Sequence, residues 1–246
     1  MFASRHLSFP HLLNARDMGG CLRRDGTLTR TGQLIRADEL GRLTPEGVST
    51  LIDYGVRTIL DLRWPDEAAQ RPSLFQQTQR QPPHQHIGYI HVSMLGPSGD
   101  YWDNLRPPVV KETWNNVVLD LAQTGLRNAM QAIANAPAGS MLFHCYSGKD
   151  RTGILAALLL DLVDVQPEVI AADYAITTER LREAYLAQFP NERAAILESV
   201  RCPEENIYNM LEHLRTQYGG SISYLQHIGL QGFEIDKLCK RLTIDD

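Results

Sequence analysis

The residues best suited to chemistry stand in one ten-residue run, HCYSGKDRTG, at positions 144–153. Within it Cys145 and Arg151 are separated by five residues that include Gly148. This spacing alone is a weak signal, but an apolar strand pattern precedes the run and an almost uniformly apolar helix pattern follows it. A tight loop between a strand and a helix points backbone N–H groups and the positive end of the helix dipole at one concavity. The run therefore predicts a site for a phosphate group.

Two side chains of this loop could act directly on a bound phosphoryl group. The guanidinium of Arg151 is planar and always charged, so it can bind two phosphate oxygens at once. The same positive field favours the anion of Cys145 over its thiol, which creates a nucleophile. We expect thiolate attack on phosphorus, a phosphocysteine intermediate, and release of phosphate by water. The expected phosphate-binding residues are Tyr146, Ser147, Gly148, Lys149, Asp150 and Arg151, with Thr152 as a supporting residue.

Such a reaction also needs a general acid that protonates the leaving oxygen and later acts as base toward water. Asp61 closes a predicted strand, and in open α/β sheets sites form beyond the carboxyl ends of strands. Asp150 lies inside the loop and is the competing candidate. The sequence does not separate the two, because Asp61 with Arg63 equally fits an ion pair that closes the strand.

Several neighbours are expected to support the site. We interpret His144 as a hydrogen-bonded core histidine that braces the loop, and Arg16 with Asp17 as a structural pair that ties the N-terminal segment to the site. Lys149 is expected to add charge for substrates with several phosphates. Three histidines, His84, His86 and His91, resemble a metal cluster, but His86 and His91 would face opposite sides of a strand. We therefore expect no metal and no cofactor.

The elements that position these residues follow from apolar periodicity and turn signals. Strands are predicted over 32–36, 56–62, 86–94 and 140–145. Helices are predicted from the N-cap Thr44 and Pro45, over 113–134, and between Gly148 and Pro167; the segment 95–108 is expected to be irregular. Beyond Pro167 only helices are expected, over 168–176, 178–188, 204–218 and a last one ending near 241. The pattern indicates one α/β domain, 1–246, with a helical C-terminal portion, 165–246.

Composition limits the classes of partner. The 246 residues carry 24 Lys and Arg against 29 Asp and Glu, a net charge of −5, which argues against general affinity for nucleic acid or an anionic membrane. No apolar run reaches the length of a membrane span, and no secretory signal is recognisable. Four scattered cysteines, without a CxxC pair, indicate no disulfide scaffold. We expect a cytoplasmic protein, with export lacking a recognisable signal left open, and an undetermined oligomeric state.

The loop, NARDMGG at 14–20, LDLR at 60–63 and GSISYLQHIGL at 220–230 together resemble bacterial protein tyrosine phosphatases of the protein tyrosine phosphatase B kind. The similarity covers nearly the whole chain. It implies a central, mostly parallel sheet flanked by helices, no metal, and activity on phosphotyrosine, sometimes phosphoserine, phosphothreonine and phosphoinositides. It also implies Cys145 as nucleophile, Arg151 as phosphate ligand, and roles for Lys149, Asp150 and Asp61. Phenylalanine is more usual at positions 15 and 146, and the segment 95–108 carries none of the motifs of the resemblance, so substrate preference is not inferred from it.

The resemblance implies a phosphorylated protein or a phosphoinositide as partner. Two rival functions stay open beside a phosphatase. An arsenate reductase can use the same spacing but needs partner thiols close by, and Cys202 and Cys239 form no obvious pair. A phosphate-binding module without turnover would have lost its nucleophile or acid, and both types of residue are present. A sulfur transferase usually has a shorter loop without the trailing arginine.

Overall fold

The computed structural model describes residues 5–76, 87–105 and 113–244. Its strands are β1 (Arg16–Asp17), β2 (Leu34–Ala37), β3 (Val56–Asp61), β4 (Gly88–His91) and β5 (Ser140–His144). They form one sheet in the order β1–β2–β5–β3–β4. Only β1 runs antiparallel to its neighbour; the other neighbouring strands are parallel. The expected mostly parallel sheet is confirmed.

The pairing register aligns the carboxyl ends of strands β2, β3 and β5. His144 at the end of β5 lies opposite Ala37 of β2 on one side and Asp61 of β3 on the other. Every residue of β5 is buried, as expected for the central strand of a sheet that is covered on both faces. The residues that follow β2, β3 and β5 therefore emerge at one edge of the sheet, where the chemistry was expected.

Helices make up most of the remaining chain. The described helices are α1 (Pro45–Tyr54), α2 (Pro65–Gln70), α3 (Gly99–Leu105), α4 (Trp114–Leu121), α5 (Gln123–Asn135), α6 (Asp150–Leu162), α7 (Pro167–Gln188), α8 (Arg193–Ser199), α9 (Glu205–His213), α10 (Ser221–His227) and α11 (Gly232–Leu242). Short 3₁₀ turns lie at Leu74–Gln76 and Pro190–Glu192, and a π turn at Leu214–Tyr218. None of the described helices combines the length and apolar character needed to cross a membrane.

Alternation along the strands divides the core in two. Leu142 of β5 packs with Ile35 and Val48 on the α1 face, whereas Met141 and Phe143 face the opposite cluster, formed mainly with the later helices. The larger cluster contains the apolar side chains of α5, α6 and α9 to α11. Helices thus cover both faces of the sheet, and the helical C-terminal portion enlarges the α6 side.

The start of α1 follows its sequence signals. Thr44 is the N-cap, its hydroxyl accepts a hydrogen bond from the Gly47 N–H at 3.3 Å, and Pro45 is the first helical residue. The helix ends at Gly55, whose φ of 106° is the left-handed conformation that glycine adopts without strain. This short helix returns the chain directly into β3.

The single helix predicted over 113–134 is wrong, because α4 and α5 are separate and meet at Ala122. A close tertiary contact lies in the first turn of α5. A Cβ atom at Gly125 would lie 1.9 Å from the carbonyl oxygen of Met94, so the first turn of α5 packs with its bare backbone against that residue. The periodicity of apolar residues does not reveal this contact.

The irregular structure predicted over 95–108 is also wrong in part. Gly99–Leu105 is helical, and buried Trp102 packs edge-on against Trp114 with ring centroids 5.7 Å apart. Positions 106–108 lie outside the described residues, as does position 86 of the strand predicted over 86–94, of which Gly88–His91 forms β4.

The helices after Pro167 differ from prediction in their divisions. The two predicted over 168–176 and 178–188 are the single helix α7, in which Thr177 is buried and accepts a hydrogen bond from Arg16. The helix predicted over 204–218 ends at His213 and continues as the π turn. Two short helices, α8 and α10, were not predicted.

Candidate active site

The backbone of the loop after β5 is held by its carbonyl groups. The Tyr146 carbonyl accepts from the Glu39 N–H at 3.0 Å, and the Asn14 side-chain amide donates to the Ser147 and Gly148 carbonyls at 3.0 and 3.1 Å. In a trans peptide the carbonyl and the next N–H point in opposite directions. Holding these carbonyls outward therefore turns the following amides toward the inside of the loop, where an oxyanion would sit.

Gly148 is required by the shape of this loop. Its φ is +64°, and a Cβ atom there would lie 2.4 Å from the carbonyl oxygen of Ala37 at the end of β2. Its own carbonyl accepts a second hydrogen bond, from Arg36 of β2 at 2.9 Å. The loop thus packs backbone against backbone on the neighbouring strand, which only glycine permits here.

One buried carboxylate anchors the residues that hold the loop. Asp173 of α7 receives Arg16 at 3.1 Å, Arg36 at 2.6 Å and Arg5 at 2.7 Å. Arg16 in turn donates to the side-chain oxygen of Asn14 at 2.7 Å, which orients the amide that binds the loop. Burial would raise the pKa of Asp173, but the surrounding arginines lower it far below its usual range. The helical C-terminal portion therefore fixes the phosphate loop through this carboxylate.

Cys145 and His144 lie at the floor of the site. Cys145 follows β5 directly and is only 3% exposed. The Nδ1 atom of His144 donates to the Cys145 carbonyl at 3.0 Å, and burial lowers the pKa of the imidazole, so it is neutral at pH 7. His144 Nε2 has no hydrogen-bond partner among the described residues and lies 3.7 Å from Asp61. His144 is thus a buried histidine with one of its two ring nitrogens hydrogen-bonded, and its role as a brace of the loop stays a prediction.

The guanidinium of Arg151 is oriented by α2. Its Nη1 and Nη2 atoms donate to the two carboxylate oxygens of Glu67 at 2.5 and 2.8 Å, and its face covers the Trp64 ring at 4.7 Å. Burial would lower the pKa of Arg151, but Glu67 and the charges of Cys145 and Asp150 raise it, so the cation is permanent. A pair of this geometry uses one edge of the guanidinium and leaves the Nε edge for a phosphate.

Asp61 is enclosed in a buried ion pair. Its carboxylate accepts from Nη2 of Arg63 at 2.6 Å and from the Tyr89 hydroxyl at 2.8 Å, and neither Asp61 nor Arg63 is exposed. Burial would raise the pKa of Asp61, but the hydrogen bonds and the charge of Arg63 lower it far below its usual range. Because the imidazole of His144 is neutral, Arg63 is the cation that keeps Asp61 ionised. This geometry favours the ion-pair interpretation of Asp61.

Asp150 and Lys149 occupy the opposite side of the loop. The Asp150 side chain is 44% exposed and lies 3.6 Å from the Lys149 ammonium, which donates to the Ser199 carbonyl at 2.8 Å. Both residues line a cavity of about 240 Å³ that also contains Arg201 and Asn206. Asp150 is also the first residue of α6, where a carboxylate benefits from the helix dipole. The Asp150 carboxylate is thus in contact with solvent, whereas the Asp61 carboxylate is not.

Polar side chains from other elements surround the loop. The Tyr185 hydroxyl of α7 forms a 2.8 Å hydrogen bond with the Ser147 hydroxyl, and Arg71 covers the Tyr146 ring at 4.9 Å. Thr152 is fully buried, and its hydroxyl has no hydrogen-bond partner among the described residues. The contacts of Tyr185 and Arg71 restrain the side chains of Ser147 and Tyr146.

The prediction that Arg16 and Asp17 pair with each other is wrong. They are neighbours in β1, so their side chains leave opposite faces of the strand. Arg16 binds Asp173, whereas Asp17 accepts from the N–H groups of Gly19 and Gly32 and from the Tyr54 hydroxyl, each at 2.7 Å. Only Arg16 reaches the loop, through Asn14.

No group of metal-binding side chains occurs in the described part of the chain. His91 contacts the Arg63 carbonyl at 2.8 Å, and His84 and His86 lie outside the described residues. Supporting residues that the sequence did not single out include Glu67, Arg36, Asp173 and Tyr185. Glu67 has only a weak local signal, as the third helical residue whose carboxylate accepts from the Trp64 N–H at 2.8 Å.

The amino-acid sequence is similar to those of known tyrosine phosphatases. The sequence profile of the tyrosine phosphatase family matches residues 7–244. This chain belongs to the tyrosine phosphatase family. A tyrosine-protein phosphatase of Nostoc commune is 32% identical over 85% of this chain and 73% of its own length. A triple specificity protein phosphatase, PtpB, of Mycobacterium tuberculosis is 26% identical over 78% of this chain and 73% of its own. The resemblance read from the motifs, and with it a cysteine-dependent phosphatase, is confirmed.

Proposed function

We propose that Cys145 is the nucleophile and Arg151 the phosphate ligand of a phosphotyrosine phosphatase. The main support is that Glu39 and Asn14 hydrogen-bond the carbonyl groups of the loop on its outer side. The N–H groups of the loop are then left to face the space above the Cys145 sulfur. Those amides, the N-terminus of α6 and the free edge of Arg151 would hold the three equatorial oxygens in the transition state. The sulfur attacks phosphorus, the ester oxygen leaves, and water then releases phosphate from the phosphocysteine.

For the general acid we propose Asp150. An acid must hold a proton before the reaction and reach the leaving oxygen. Asp61 is buried and its oxygens are occupied by Arg63 and Tyr89, so it cannot approach a leaving oxygen, whereas the Asp150 side chain is accessible on the loop itself. We assign Asp61 and Arg63 to holding the end of β3 beside the nucleophile. Thr152 is fully buried two residues after Asp150, and we assign it a supporting role at the start of α6.

The range of substrates is proposed on chemical grounds. The relative from Mycobacterium tuberculosis is named a triple specificity phosphatase, which favours phosphoserine and phosphothreonine as further substrates of this chain. Lys149 and Arg201 beside the loop favour a second negatively charged group, as a phosphoinositide would supply. The Lys149 ammonium would have to exchange its contact with the Ser199 carbonyl for that group.

The rival functions lack comparable support. A phosphate-binding module would not need the buried cysteine that this loop encloses. An arsenate reductase would need a second thiol, and burial raises the pKa of Cys202 to about 11, which disfavours a reactive thiolate there.

Replacement of the nucleophile tests the proposed function. In assays without added metal, the wild-type protein should hydrolyse phosphotyrosine peptides and a small aryl phosphate, and Cys145→Ser should reduce both activities to background. Phosphate should still bind to this variant with the wild-type Kd. Cys239→Ser changes a half-buried cysteine outside the loop and should leave both properties unchanged. Wild-type turnover in Cys145→Ser would refute the assignment of the nucleophile.

A further inference from the structure

A second groove lies between the N-terminal segment and one face of α7. It has a volume of about 420 Å³, within the range typical of sites for small organic ligands. Val169, Ala172 and Ile176 form an apolar stripe along the helix, at the spacing of one helical face. Arg5, His6 and Arg180 are among the residues that line the rest of the groove.

The charges in this groove are unbalanced toward positive. Three arginines converge on the single carboxylate of Asp173, and two of them, Arg5 and Arg16, line the groove. Arg180 adds a fourth cation, which has no hydrogen bond or ion pair to any other described residue. The remaining acid of the lining, Glu168, is exposed and lies twelve residues before Arg180, about 18 Å along a helix.

The imidazole of His6 is affected by the same excess of positive charge. Its Nδ1 contacts the Ala15 carbonyl at 3.1 Å, and burial together with the charge of Arg180 lowers the pKa of its imidazole. A neutral imidazole whose Nδ1 donates to a carbonyl keeps Nε2 as an acceptor. The end of the groove beside Arg180 therefore repels a further cation and attracts an anion.

We propose that this groove binds a small amphipathic organic anion, with its head group among Arg5, His6 and Arg180 and its apolar body along Val169, Ala172 and Ile176. The guanidinium groups supply charge-assisted hydrogen bonds to the head group, and the apolar stripe supplies buried area for the tail. The site is distinct from the phosphate loop, although Asp173 and Arg16 connect the two through Asn14.

Calorimetric titration of the full chain with decanoate tests this proposal, with decyltrimethylammonium as a probe that has the same tail and the opposite charge. Decanoate should bind at one site, and the cation at least tenfold more weakly. Arg180→Glu should weaken decanoate binding at least tenfold, whereas Arg182→Glu, an exposed arginine of the same helix outside the groove, should not. Equal binding of the two probes, or equal effects of the two substitutions, would overturn the proposal.

Further variants locate the bound anion. Arg151→Ala removes the cation of the phosphate loop and should leave decanoate affinity unchanged; loss of binding there would place the anion in the catalytic loop and refute a second site. Ala172→Trp fills the exposed middle of the apolar stripe and should abolish binding without changing any charge. Deletion of residues 2–4 should not change the Kd. A tenfold tighter Kd after this deletion would identify that segment as the natural occupant instead.

Discussion

Arg151 is held by a residue that is 84 positions away in the sequence and belongs to another helix. Glu67 fixes the plane of the guanidinium before any substrate arrives. We predict that Glu67→Gln lowers kcat/KM for an aryl phosphate by about tenfold, because a misoriented ligand to the transferring group typically loses one to two orders of magnitude. Steady-state kinetics measures this change.

Asp66→Asn is the matched control, since Asp66 precedes Glu67 in α2 and is exposed. It should leave kcat/KM within twofold of wild type. A rise in kcat/KM for Glu67→Gln would mean that the carboxylate competes with phosphate for Arg151, contrary to the positioning role.

The pH dependence of kcat/KM distinguishes Asp150 from Asp61 as the general acid. The basic limb of the kcat/KM profile reports the loss of a required proton donor. We predict that Asp150→Asn removes this limb for an alkyl phosphate substrate and reduces kcat by about 10² to 10⁴. Asp61→Asn should keep the limb while lowering protein stability, because it leaves buried Arg63 without its anion. A normal basic limb in Asp150→Asn would exclude Asp150 as the donor.

The sequence predicted the parts of the site that are local. Cys145, Gly148 and Arg151 lie in one short loop, so their spacing carries the information. The partners Glu67 and Asp173 could not be predicted, because their contacts depend on how α2 and α7 pack, which a short pattern does not encode. The sequence left Asp61 either as the general acid or as the partner of Arg63 in an ion pair. The hydrogen bonds from Arg63 and Tyr89 favour the ion pair.

At the scale of the elements, the first turn of α5 packs closely against Met94 at Gly125, which has no side chain. The site that a Cβ would occupy at Gly125 is 1.9 Å from the Met94 carbonyl oxygen, and a backbone atom cannot move aside cheaply. We predict that Gly125→Ala lowers the free energy of unfolding by at least about 2 kcal/mol through overpacking. Denaturant titration followed by circular dichroism measures this loss.

Gly232→Ala provides the control for this prediction. Gly232 begins α11 and has no atom within 4 Å of its added Cβ, so alanine there should be neutral or stabilise by about 0.5 kcal/mol. Equal stability of the two variants would show that the contact at Met94 does not constrain α5. Periodicity predicted one helix where two exist, because apolar spacing reports a buried face but not the backbone packed against it.

At the scale of the whole molecule, one buried acid beside the loop opposes stability at neutral pH. Asp38 accepts hydrogen bonds from the N–H groups of Leu13 and Asn14, yet burial raises its pKa to about 6. Between about pH 4 and 6 the folded protein keeps a proton that the unfolded chain has released. The free energy of unfolding therefore falls as pH rises through this window, by about 3 kcal/mol for two pKa units.

Asp38→Asn should remove this contribution, because an amide oxygen can accept both N–H groups without ionising. We predict that the difference in unfolding free energy between variant and wild type grows from pH 4 to pH 6 and is constant above pH 7. Asp53→Asn, at an exposed position of α1, should show no such trend. A difference independent of pH would mean that Asp38 does not titrate in this window.

The arrangement around Asp173 has a consequence for biosynthesis. The ribosome delivers Arg5, Arg16 and Arg36 long before the carboxylate that neutralises them, and Cys145 also precedes it. A nascent chain that stops short of α7 would contain every group proposed to react. It would lack Asp173, which binds the arginines that hold the loop after β5. Catalytic competence should consequently arise late in translation, after the first half of α7 has left the exit tunnel.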